Sequence, residues 1–206
     1  MTSRASVSGD ERIRLFLALR LPDGTLDEVE HWQREQLGNV RVVPREHLHV
    51  TLAFLGHRPA AERDTIRDAL REAASSAGEI RLTPVRYRET RSVGMLVLDD
   101  DGGRAALLAG DLQERLEGLG VYRREGRPWL PHVTVARWNA RRLDGARQGA
   151  EMPALPVSER GHRRPRLRLD PPSVRTFVPS DAAAYLSRLH PGGARYEVLE
   201  SVALGG

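Results

Sequence analysis

Apolar positions recur every second residue in some segments of this chain and every third or fourth in others, and the switches between the two periods mark out its elements. "RLFLALRLP" (14–22) reads as a strand closed by Pro22, Asp23 and Gly24, and residues 25–37 follow with a helical pattern. A second strand, "HLHVTLAFLG" (47–56), stops at Gly56 ahead of an Arg/Glu/Ala-rich helix running from about Ala60 to Ala77. Strands near 79–90 and 93–99 come next, parted by "RETRS" and ended by the acidic turn "DDDGG". Leu107, Leu108, Leu112, Leu116 and Leu119 then form one stripe of a helix over 104–120, which ends at glycine. "PHVTVAR" (131–137) repeats the His-X-Thr strand, and 139–164 has no period and reads as a loop with at most a short helix. "RLRLD", "SVRTFVPS" and "ARYEVLESVAL" read as closing strands, the last two bracketing "DAAAYLSRLHPGG". Similar element orders around the two His-X-Thr strands predict two related lobes facing each other in an α+β chain.

At 206 residues and 40% hydrophobic, the chain has material for one sizeable core, expected as a single bilobal domain over 13–206 behind a flexible N-terminus over 1–12. No run approaches the roughly 20 apolar residues of a membrane span, and the start is polar, so a cytoplasmic location is expected. The lack of coiled-coil or repeat patterns predicts a monomer. There is no cysteine, which excludes disulfides, thiolate nucleophiles and Cys-ligated metals. There is no lysine either, so every one of the 32 Lys-plus-Arg positions is arginine, and P-loop and Schiff-base chemistry are excluded.

Charge is uneven. Residues 121–170 hold 12 arginines against 5 acidic residues, while the remainder holds 20 against 23. The guanidinium-rich segment, densest in 141–168, suits an anionic partner such as RNA.

The chemistry sits in the repeated strands. Alternation puts His47, His49 and Thr51 on one face and Leu48, Val50 and Leu52 on the other, and His132 and Thr134 oppose Val133 and Val135 in the same way. Each pair presents an imidazole and a hydroxyl about 7 Å apart, room enough for a phosphate-sized group. Two imidazoles also titrate where one can act as base and the other as acid, with no metal or covalent step.

"RLFLALRLP", "PREHLHVTLAFLG", "RPWLPHVTVAR" and the closing "PGGARYEVLESVAL" resemble the 2H phosphoesterase superfamily, specifically the RNA 2′,3′-cyclic phosphodiesterases long labelled 2′-5′ RNA ligases. The resemblance implies a bilobal, pseudosymmetric α+β fold, with two antiparallel sheets lining a central cleft and helices outside. It also implies hydrolysis of a terminal 2′,3′-cyclic phosphate to a 2′-phosphate, without a cofactor or metal. His49 and His132 take the catalytic positions, Thr51, Thr134 and Arg137 the phosphate-binding ones, and Phe16 is a candidate for stacking on the nucleobase. The expected order makes His49 the acid to the 3′-oxygen and His132 the base or stabiliser. Strict alternation points Arg137 away from His132, so its role requires twist, a bulge or long reach. His47 stands where relatives often carry asparagine, and with His49 and His132 it opens a three-imidazole zinc alternative. The expected partner is RNA with a cyclic phosphate end, tRNA fragments included, or a cyclic nucleotide. A different cyclic phosphate, such as a small nucleotide or an ADP-ribose derivative, and a non-catalytic RNA-end binding module are the other readings.

Overall fold

A computed structural model describes residues 11–38, 40–138, 169, 173–190 and 193–205. The elements are β1 (Arg12–Arg20), α1 (Asp23–Gln36), β2 (His49–Pro59), α2 (Arg63–Ser75), β3 (Arg81–Glu89), β4 (Val93–Asp101), α3 (Arg104–Gly118), β5 (His132–Arg137), β6 (Ala182–His190) and β7 (Gly193–Val202). Short 3₁₀ turns, Arg45–His47 and Ala60–Glu62, lead into β2 and α2. Among the described residues no helix is long and apolar enough to cross a membrane.

The strands pair antiparallel in the order β3-β4-β5-β2-β1-β6-β7. The two lobes meet where β2 adjoins β5, and there the ladder holds a single residue pair, Val50 with Val133. The two antiparallel sheets that the resemblance implies are joined as one curled sheet, and the segment before β2 adds a bridge from Val42 to Ala136 beside that pair. On one face Leu17, Leu19, Val50, Leu52, Leu96, Val133 and Val135 pack against Ile66 and Leu70 of α2 and Leu112 and Leu116 of α3, all nearly sealed from solvent. The other face, toward the cleft, carries a smaller cluster of Phe16, Ala18, Ala183 and Tyr185, with Tyr196 against it.

Local signals explain most boundaries. The acidic turn after β4 places Asp100 so that its carboxylate accepts from the Ala105 and Ala106 amides, satisfying two open donors at the start of α3. Gly102 and Gly103 supply the left-handed backbone this turn needs, both at φ 68°.

Three expectations need correction. "DAAAYLSRLH", left between two strands, is itself β6, paired with β1. Its three alanines favour helix, but Ala182 and Ala184 pack into the core while Ala183 sits beside Ala18, where the sheet admits little bulk. "SVRTFVPS" is no full strand: only Phe177 bridges, to Leu82. Arg12 already belongs to β1, so the flexible terminus does not extend through it, and residues 1–10 lie outside the described residues. So do 139–168, which hold the irregular segment and most of the arginine-rich one, and all of "RLRLD" except Leu169.

Candidate active site

The approach to β2 is pinned before its first histidine appears. Arg45 reaches Asp27 at 2.6 Å and Asp23 at 3.1 Å, fastening the turn that precedes β2 to the start of α1. His47 ends that turn rather than lying in the strand, so it does not share the regular alternation of His49 and Thr51. Its ring rests against Tyr196, with centroids 4.3 Å apart.

Both candidate histidines are held in the same way. Nδ1 of His49 lies 2.7 Å from the His47 carbonyl, and Nδ1 of His132 lies 2.8 Å from the Leu130 carbonyl. A carbonyl only accepts, so each Nδ1 carries the hydrogen, and in the neutral rings Nε2 is the nitrogen left without one. The antiparallel direction at Val50–Val133 sets His49 opposite Thr134 and Thr51 opposite His132. Burial pushes the His49 imidazole down to about 4, and the positive charges of Arg137, His132 and His47 add to the push. The His47 ring is lowered too, by desolvation first and by Arg137.

Matching irregularities turn two further side chains into the cleft. In β2 the partners of Leu17 and Ala18 are Ala53 and Thr51, so Leu52 is an extra residue; in β5 the partners of Gly94 and Met95 are Ala136 and Thr134, so Val135 is one as well. Each bulge leaves two consecutive residues buried, Leu52 with Ala53 and Val135 with Ala136, and the following side chain emerges on the cleft face. These are Phe54 and Arg137, each five residues beyond a histidine, and both line a cavity of about 570 Å³ with His47, His49 and Thr51. The bulge thus supplies what alternation denied to Arg137. Buried side chains add hydrogen bonds at both bulges, and at Val135 the carbonyl also accepts from the Val43 N–H at 2.9 Å. Gln113 donates to the Leu52 carbonyl at 2.9 Å, and Gln33 to those of Val135 and Val43 at 2.8 and 3.0 Å. Trp129 adds an indole N–H to the Thr51 carbonyl at 2.9 Å.

Phe16, the expected nucleobase platform, lines this cavity but offers it little ring surface. That ring is 3% exposed and walled in by Tyr185, His49 and Tyr196, all with centroids within 4.8 Å of it. Phe54, 49% exposed, presents its ring at the cavity with the Arg14 guanidinium 4.8 Å from its centroid. Among the described residues neither Arg14 nor Arg137 forms an ion pair with a carboxylate, so the cavity wall carries positive charge that a bound anion would neutralise. No three histidines or carboxylates among the described residues gather closely enough to share a metal ion, so His47, His49 and His132 do not form the three-imidazole set.

Phe54 escaped the sequence reading because its place depends on a bulge, and the two glutamines because their partners lie far along the chain; Arg14 follows plain alternation with Phe16 and could have been read. The one sequence sign was that Phe54 and Arg137 stand equally far from their histidines.

Comparison with known proteins identifies the family and the fold. Residues 21–159 match the model of the 2'-5' RNA ligase superfamily. A protein of Methanocaldococcus jannaschii named RNA 2',3'-cyclic phosphodiesterase is 23% identical over 128 residues, 61% of this chain and 71% of that one. The fold matches E. coli LigT in its apo form with a TM-score of 0.68 at 23% identity, over 96% of this chain and all of that one. TT0787 of Thermus thermophilus matches at 0.68 and 25% identity, over 94% and 99% of the two chains. The chain belongs to the 2'-5' RNA ligase superfamily of 2H phosphoesterases, and it is an enzyme of that hydrolase class.

Proposed function

We propose that this protein opens the terminal 2′,3′-cyclic phosphate of RNA to a 2′-phosphate by acid–base catalysis between His49 and His132. The observation that carries the reading is the matched tethering of the two rings, which leaves one free Nε2 on each side of the Val50–Val133 seam. Water attacks phosphorus and gives up a proton to one imidazole; the bond from phosphorus to the 3′-oxygen breaks, and that oxygen takes a proton from the other. Thr51, Thr134 and Arg137 meet the charge on the non-bridging oxygens. The relative named RNA 2',3'-cyclic phosphodiesterase supports the substrate class, and E. coli LigT has been solved with 3'-AMP.

The environment of the rings favours reversing the expected order. Burial disfavours the charged imidazole at His49, so that ring suits the base and leaves the acid to His132. The test is incubation with a short RNA ending in a 2′,3′-cyclic phosphate, with EDTA present, beside His49→Ala and His132→Ala. A 2′-phosphate product from the parent protein, lost in both variants, is expected. Binding without turnover by the parent would overturn the catalytic reading.

A further inference from the structure

Most of the described arginines outside the cavity are matched by acids: Arg20 by Asp181, Arg58 by Glu62, Arg115 by Asp111, and Arg67 and Arg71 by Glu200. Arg86 and Arg88 on β3 differ. Both are exposed, and among the described residues neither forms an ion pair or a hydrogen bond to a side chain. Their orientation follows from the residue between them. Tyr87 turns toward the core side, where its ring lies 5.5 Å from Trp32, so its two neighbours turn to the cleft face.

The register extends this placement to the histidine strand. Arg86 pairs with Val97 and Val97 with His132, while Arg88 pairs with Met95 and Met95 with Thr134. Directly paired residues share a face, so two rows run across the second lobe, each starting at an arginine and ending at a candidate catalytic or phosphate-binding residue. The backbones at either end of a row are about 10 Å apart, and the two arginines about 7 Å apart along β3. The acid on this stretch of the face is Asp99, one step further along β4 and beside Thr83.

Resting on the proposed function, we infer that Arg86 and Arg88 hold backbone phosphates of the RNA on the 5′ side of the cyclic end. The cavity beside Phe54 takes the terminal nucleoside, and the second lobe takes the strand that leads to it. The spacing of the arginines suits successive phosphates of an extended single strand. The enzyme would then distinguish a polynucleotide from a mononucleotide by contacts remote from the reacting phosphorus.

The test compares the parent protein with an Arg86→Gln/Arg88→Gln variant on a nucleoside 2′,3′-cyclic monophosphate and on a single-stranded RNA carrying the same terminal nucleotide. Expected are kcat/KM within twofold on the mononucleotide, a loss of about tenfold or more on the RNA, and a log–log salt slope shallower by about 1.4 for two lost phosphate contacts. Equal losses on both substrates would overturn the inference, as would an unchanged RNA rate. If the parent turns over neither substrate, the proposed function fails by itself. Fluorescence anisotropy with the same RNA then decides about the arginines: weakened, less salt-sensitive binding by the variant supports the track, and unchanged binding removes it.

Discussion

Gln33 and Gln113 reach across the seam in opposite directions, each ending on the carbonyl three residues past the histidine of the other lobe. Gln33, from the helix after β1, takes Val135; Gln113, from the helix after β4, takes Leu52. Because those carbonyls belong to the bulged residues, the glutamines stabilise the distortion that turns Phe54 and Arg137 toward the cavity.

Replacing Gln113 by leucine keeps the volume but leaves the Leu52 carbonyl buried without this donor. The expected cost is about 1–3 kcal/mol in urea unfolding, with kcat reduced as well because the bulge relaxes. Unchanged stability and rate would show that the amide is dispensable.

The order of the two histidines is testable with a leaving group that needs no proton. On bis(p-nitrophenyl) phosphate His132→Ala should keep far more of the parent rate than His49→Ala, since only the acid becomes redundant. The reverse result would restore His49 to the acid position.

His49 should also link stability to pH. Its ring titrates near 4 in the folded protein and near 6.5 when unfolded, so between those values the unfolded chain holds the extra proton. Stability from this group is complete above about pH 6.5 and is lost as pH falls toward 4, by on the order of 3 kcal/mol across the window. Denaturant titrations at pH 4.5 and 7 should show a smaller difference for His49→Gln than for the parent. Equal differences would mean that the ring is not desolvated.

Phe54→Ala should raise KM for a cyclic nucleotide by about 5- to 100-fold with little change in kcat, as expected for a stacking platform worth about 1–3 kcal/mol. Phe16→Leu should instead lower kcat, since that ring supports His49. Equal KM effects at both positions would put the platform elsewhere.

The two strands with His49, Thr51, His132 and Thr134 were legible because a polar pair in an apolar run is conspicuous at a period of two. The helical stripe of α3 was legible for the corresponding reason. Illegible were the features produced by departures from periodicity. A bulge leaves no residue-type signature at Leu52 or Val135, so the facing of Phe54 could not be read and that of Arg137 only as a condition. Strand β6 was hidden because the space beside Ala18 demands small side chains that carry a helical bias. Phe16 could be read equally as core or platform; its neighbours come from β6 and β7, far along the chain.

The two halves of the sheet are joined by the Val50–Val133 pair, the Val42–Ala136 bridge and the ties of Gln33, Gln113 and Trp129, fewer links than run within either half. The imidazoles stand on either side of this junction, so a small displacement there changes the gap between them, and an error of about 1 Å costs about a hundredfold in rate. Within each half the ladders are longer and withstand more. Warming should therefore silence the enzyme before it melts, with activity failing at temperatures where tryptophan fluorescence still reports an intact fold.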